Sequence, residues 1–203
     1  MKKNKYLRVP YGLSVHGKDE IKAVVKVLKH STQMGKNVFN FEKKIAKLFN
    51  KKYGLMVNSG SSAIMLAMES LNLPEGSEVI TPTLTFSTTV SYIVRNKLTP
   101  VFVDVKEGTY CIDENKIKNA ITKKTKAILA PHLMGNIVNW KRLFPILKKN
   151  NIIIIEDSAD TLGATYQGKS TGHYADISIT SFYGSHIINC AGNGGALAIN
   201  NKK

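Results

Sequence analysis

The sequence holds two cysteines, three arginines and no lysine between Ser170 and Asn201. No apolar run in it approaches the ~18 residues that cross a bilayer. Each shortage removes a class of explanation. Cys111 and Cys190 lie far apart, with no CxxC and no Cys/His spacing, so neither a zinc site nor a disulfide framework is indicated. The start, MKKNKYLRVPYG, has basic residues but no apolar stretch behind them, and a cytoplasmic protein without membrane insertion is expected. Lysine outnumbers arginine 26 to 3. Forked contacts to phosphates and bases favour the planar guanidinium, so a formal net charge of +15 does not by itself indicate nucleic acid. Residues 1–50 carry 12 basic and 3 acidic side chains at helical spacing, the pattern of a solvated lysine-rich surface with mild attraction for anionic metabolites.

What is present reads as one sizeable α/β domain: 203 residues, 43% of them hydrophobic. The segment VFNFEKKIAKLF puts Val38, Phe41, Ile45 and Leu48 on one helical stripe, and an earlier helix is expected in DEIKAVVKVLKH. From Tyr53 the pattern changes to short apolar runs: YGLMV, EVITP, TPVFVDV, KAILAP, NIIIIED, DISITSF and GALAIN. A run apolar at every position, such as Ile152 to Ile155, suits a strand covered on both faces. Between the runs lie crossover helices in SSAIMLAMESLN, STTVSYIVRN, ENKIKNAI and WKRLFPILKKN. Pro145 either kinks the last of these or marks its start. The expected architecture is a mostly parallel sheet in a three-layer sandwich, with an N-terminal helical segment over 1–34 and the main domain over 35–203.

Ligands of such sheets bind at the carboxyl ends of the strands. That rule gathers NSGSS, TPTLTF, PHLMGN, EDSAD and SFYGSH on one rim. NSGSS offers free helix-start amides to a phosphate, or is simply an N-cap. Asp157 caps the next segment or meets a buried cation. Phe86 is core or a stacking plate, and His132 and His186 are satisfied structural histidines or working ones. Gly192 to Gly195 read as a tight turn into the ALAI strand. No GxGxxG follows the first strand, which argues against a nicotinamide-binding fold.

Taken in order, NSGSSA, VITPTLTF, PVFVDV, KAILAPHLMGN, IIEDSADTLGATYQGK, ADISITSF and GNGGALAIN resemble the DegT/DnrJ/StrS family of pyridoxal phosphate-dependent sugar aminotransferases and dehydratases. The resemblance implies the large domain of the fold-type I aspartate aminotransferase architecture. It implies that Gly60, Ser61 and Ser62 hold the cofactor phosphate with the Ser181 hydroxyl, that Phe86 stacks on the pyridine ring, and that Asp157 pairs with its protonated nitrogen. Asp160 stands where the family's aminotransferases usually carry histidine or glutamine near the ring hydroxyl. His186 stands where they carry the lysine that binds the cofactor covalently. A histidine there resembles the deoxysugar 3-dehydratase branch, whose cofactor is pyridoxamine phosphate and whose histidine moves protons. The turn HIINCAGNGG is one residue longer than the family's, with Asn193 in place of its glutamate.

By the same resemblance the expected substrate is a nucleotide-linked 4-keto-6-deoxyhexose of surface-polysaccharide synthesis, with glutamate as amino donor under an aminotransferase reading. A homodimer is expected, as is a smaller C-terminal domain beyond Lys203, so that a truncated remnant that only binds cofactor or sugar nucleotide stays open. Two cysteines are too few for the iron–sulfur cluster of one dehydratase subgroup.

Overall fold

The computed structural model describes residues 7–10, 12, 13 and 15–200. Part of the 1–34 segment, residues 1–6, 11 and 14, therefore lies outside the described residues. Seven strands form the main sheet: β1 (Tyr53–Val57), β2 (Glu78–Pro82), β3 (Thr99–Val103), β4 (Thr125–Pro131), β5 (Ile153–Asp157), β8 (Ile177–Ser181) and β9 (Gly195–Ile199). A two-stranded hairpin, β6 (Thr165–Tyr166) with β7 (Lys169–Ser170), interrupts the series. The sheet order is β1-β9-β8-β5-β4-β2-β3. Every pairing from β8 through β3 is parallel, and β9 alone runs against both its neighbours. The chain between β8 and β9 contains no crossover helix, and a strand that returns directly beside its predecessor must be antiparallel to it.

Six helices accompany the sheet: α1 (Lys18–His30), α2 (Lys36–Leu48), α3 (Gly60–Ser70), α4 (Ser87–Arg95), α5 (Glu114–Ala120) and α6 (Trp140–Lys149). The two-residue period of the strands divides the core between them. Ala127, Leu129, Ile155 and Ile179 pack with Ala63, Ile64 and Ile93 of α3 and α4. Ile128, Ala130 and Ile154 pack on the other face with Ile117, Leu143 and Leu147 of α5 and α6. Ala196 and Ala198 of β9 extend that second face to Ile45 of α2. The result is the expected three-layer sandwich.

Two sequence expectations change in detail. The α2 stripe ends on Phe49, which is wholly buried, while Leu48 is 41% exposed. Four residues from Ile45 keep the helical angle better than three at this end. Helix α6 starts at Trp140, where Asn139 accepts the Arg142 amide at 3.2 Å, so Pro145 lies inside the helix and does not mark its start. Among the described residues no helix is long and apolar enough to cross a membrane. Cys111 is buried and Cys190 exposed, and both are free thiols.

The turn into β9 presses on the start of α3. A Cβ on Gly195 would lie 2.3 Å from the carbonyl carbon of Ser59 and 2.5 Å from the Gly60 nitrogen, where only backbone could yield. Gly195→Ala is expected to destabilise the fold by about 1–3 kcal/mol in urea unfolding. Gly192→Ala meets nothing within 4 Å and should stay within about 0.5 kcal/mol of the parent. Equal midpoints for the two variants would contradict the close approach.

Candidate active site

The carboxyl ends of β1, β2, β4, β5 and β8 open into one cleft of about 640 Å³. All five rim segments reach it, through Gly60 and Ser61, Phe86, His132 to Met134, Asp157 with Asp160, and Ser181 with His186. No lysine lines it among the described residues.

At one end lies the start of α3. Ser59 is its N-cap, and its hydroxyl oxygen accepts the Ser62 amide at 3.0 Å. The Ala63 amide is taken by the Ser59 carbonyl at 3.1 Å. The amides of Gly60 and Ser61 have no helical carbonyl one turn behind them, and they stand at the positive end of the helix dipole. The capping and anion-binding readings of SGSS are thus compatible: Ser59 does the first and leaves two amides for the second. Gly60 is required by the approach of β8, since a Cβ there would lie 2.7 Å from Ser181 Cβ. Ser181 lines the cleft beside it, its Oγ accepting the Tyr183 amide at 3.3 Å. Ser62 does not line the cleft, and its hydroxyl donates to Asn58 Oδ1 at 2.6 Å. The phosphate role that the resemblance gave to Ser62 has no support in this geometry.

Phe86 precedes α4 and its ring is 67% exposed at the cleft, outside the core. Asp157 ends β5 on the α3/α4 side. Its Oδ1 accepts the Ala159 amide at 3.0 Å, so it caps the following turn while also lining the cleft. Burial pushes its carboxyl up to about 6, against the pull of that hydrogen bond, and the nearby Asp160 pushes in the same direction as burial. No cationic side chain forms an ion pair with Asp157 among the described residues.

Asp160 faces His186 across the cleft wall, Oδ1 to Nδ1 at 3.3 Å, and its Oδ2 accepts the Met134 amide at 2.9 Å. The hydrogen bond to His186, followed by the Met134 amide, holds the Asp160 carboxyl below the usual carboxylate range although partial burial opposes it. Tyr183 meets the His186 ring edge-on, with centroids 6.3 Å apart.

His132 is committed elsewhere. Its Nδ1 accepts the Val138 amide at 3.0 Å, and its Nε2 lies 3.2 Å from Glu156 Oε2, with both side chains inaccessible. Because Nδ1 is an acceptor, the ring proton belongs on Nε2, facing the carboxylate. Burial works against the Glu156 charge, but His132, with the Ser158 hydroxyl at 2.8 Å, outweighs it and keeps the carboxyl low. Nothing in the side-chain pattern singles out Glu156 or the Met134 amide. Tyr183 stands three residues before His186 in the same rim segment, a spacing that could have marked it; a backbone donor leaves no such trace.

Residues 15–203 match the DegT/DnrJ/EryC1/StrS aminotransferase family. The chain is 37% identical over 196 residues to dTDP-4-dehydro-2,6-dideoxy-D-glucose 3-dehydratase of Saccharopolyspora spinosa, covering 93% of this chain and 42% of that protein. It is 38% identical over 168 residues to GDP-perosamine synthase of Escherichia coli O157:H7, covering 83% of this chain and 46% of that one. The solved E. coli GDP-4-keto-6-deoxy-D-mannose-3-dehydratase with bound hydrated PLP superposes with a TM-score of 0.90 at 33% identity, over 96% of this chain and 52% of that one. The chain thus spans about half the length of the relatives it matches. With the family model matching residues 15–203, the chain belongs to the DegT/DnrJ/EryC1/StrS aminotransferase family.

Proposed function

We propose that this chain is the cofactor-binding part of a pyridoxamine phosphate-dependent 3-dehydratase acting on a nucleotide-linked 4-keto-6-deoxyhexose in surface-polysaccharide synthesis. The observation that carries the reading is a cleft lined by a histidine and, among the described residues, by no lysine, beside a buried carboxylate that no described cationic side chain pairs with. The donor set fits the cofactor. Gly60 and Ser61 present amides, and Ser181 a hydroxyl, to a phosphate; Phe86 presents an exposed ring face; Asp157 offers its charge to a cationic ring nitrogen. Bound there, the cofactor would supply the amine that condenses with the sugar ketone and a cationic ring that draws electrons while the neighbouring hydroxyl leaves.

The chain's own residues do the rest. His186 presents an imidazole that can take up and return a proton, which departure of a hydroxyl requires. Asp157, once paired with a cation, recovers the cost of its burial and keeps that cation in place. The relatives named above support a sugar-nucleotide substrate, one as a 3-dehydratase and one as a perosamine synthase. The second name keeps an aminotransferase reading in view, with glutamate as donor; the absence of a lysine from the cleft wall favours the dehydratase.

Offered a GDP- or dTDP-linked 4-keto-6-deoxyhexose and pyridoxamine phosphate, the protein is expected to release the 3-deoxy product. His186→Ala should slow this by about 10²–10⁴-fold while cofactor affinity stays within about threefold. Undiminished turnover in the variant, or net amino transfer from glutamate by the parent, would overturn the reading.

Asp157 gives a pH-dependent expectation. Its folded carboxyl titrates near about 6 against an ordinary 3.8, so the folded chain holds the proton more tightly than the unfolded one. Stability therefore falls as pH rises through that window, and the ionised group costs about 3 kcal/mol above it. Asp157→Asn should match the parent below about pH 4 and gain up to about 3 kcal/mol by pH 7. The same variant should bind pyridoxamine phosphate about tenfold or more weakly, because an amide cannot balance a cationic ring. Stabilisation that is independent of pH would contradict this account.

A further inference from the structure

We infer that Asp160 is a positioning residue for His186, and that the loop after β4 holds Asp160 in that role through the Met134 amide. The inference rests on His186 being the proton carrier of the cleft. Family resemblance places Asp160 near the cofactor's ring hydroxyl, but each of its oxygens already has a partner in the chain. Oδ2 accepts from Met134 N at 2.9 Å, and Oδ1 lies 3.3 Å from His186 Nδ1.

An ionised carboxylate can only accept a hydrogen bond. The hydrogen between Asp160 and His186 therefore belongs to Nδ1, and the neutral ring keeps its lone pair on Nε2. A base whose free nitrogen is fixed in this way does not lose half its population to the wrong tautomer. The Tyr183 ring stands edge-on to the imidazole at 70°, and the His186 amide donates to the Tyr183 carbonyl at 3.0 Å, which holds the backbone that carries the ring.

The far end of the clamp is strained. Met134 has φ 55°, in the left-handed region unfavourable for a residue with a Cβ, and Gly135 follows at φ 83°. The Met134 side chain is 71% exposed, so its packing does not explain the conformation. What the loop conformation achieves is to aim a backbone N–H at Asp160. The PHLMGN segment thus reaches the proton carrier through its main chain.

The ring nitrogens of His186 can be read by ¹⁵N NMR of the histidine-labelled chain. The parent is expected to carry its proton on Nδ1. In Asp160→Asn the side-chain oxygen stays on the Met134 amide and the NH₂ faces His186, so the proton should move to Nε2. Asp160→Ala should leave no fixed preference. Affinity for pyridoxamine phosphate, followed by absorbance, should change by less than about threefold in either variant, while kcat of Asp160→Asn falls by about 10²-fold at unchanged KM. A second measurement uses no Asp160 variant: ¹³C titration of the Asp160 carboxyl should move to higher pH in His186→Leu, because the hydrogen bond that holds it low is gone.

A parent proton on Nε2, a tautomer unaffected by Asp160→Asn, or an Asp160 titration unmoved in His186→Leu would overturn the pairing. So would a tenfold or greater loss of pyridoxamine phosphate affinity in Asp160→Ala with the tautomer intact, which would mark a direct cofactor contact. A tautomer switch in a protein that dehydrates no sugar nucleotide would support the pairing and count against the dehydratase instead.

Discussion

Strand β5 ends in two consecutive acids deep in the molecule, and the pleat sends them to opposite faces of the sheet. Glu156 follows Ile154 toward the α5/α6 layer; Asp157 follows Ile155 toward α3 and α4. A buried carboxylate has to find a partner or shift its titration. Glu156 finds His132 and Ser158, and its charge is settled within the chain. Asp157 finds one backbone amide and a raised pKa, and its charge is left facing the cleft. This asymmetry divides the two histidines of the rim. His132 is consumed in holding the sheet interior together, which leaves His186 for work at the surface of the cleft.

The same geometry explains why glycines flank the site. The helix start that offers its amides to an anion lies directly under the ends of β8 and β9. Gly60 allows Ser181 to close on it, and Gly195 allows the returning turn to pass over Ser59. A methyl group at either position would push the start of α3 away from the ends of β8 and β9. The GNGG segment therefore does more than lead into β9: its last glycine lets the chain pass close over Ser59.

Much of the fold was legible because buried parallel strands leave nearly continuous apolar runs, and each of the seven runs became a strand of the sheet. The rim was legible for a related reason: strand ends mark themselves by the residues that follow them. What the residues alone left open was the choice between bland and working readings at Phe86, Asp157 and His186, since exposure and pairing are properties of the packed molecule. The stripe expected to end on Leu48 ends on Phe49, because both residues are apolar and residue type alone does not choose between a three- and a four-residue step. The Ser62 hydroxyl is held by Asn58 Oδ1, and the Asp160 carboxylate by a main-chain donor; side-chain pattern records neither.

The proposed chemistry depends on a cleft that His186 lines and that no lysine lines among the described residues. The direct measurement is to load the protein with pyridoxal phosphate, reduce with borohydride, and map the peptides that keep the cofactor. The account requires that no single lysine be labelled stoichiometrically in the parent, and that His186→Lys become labelled at position 186. A stoichiometric label on one native lysine would contradict it, and would place the protein's chemistry with covalently anchored aminotransfer.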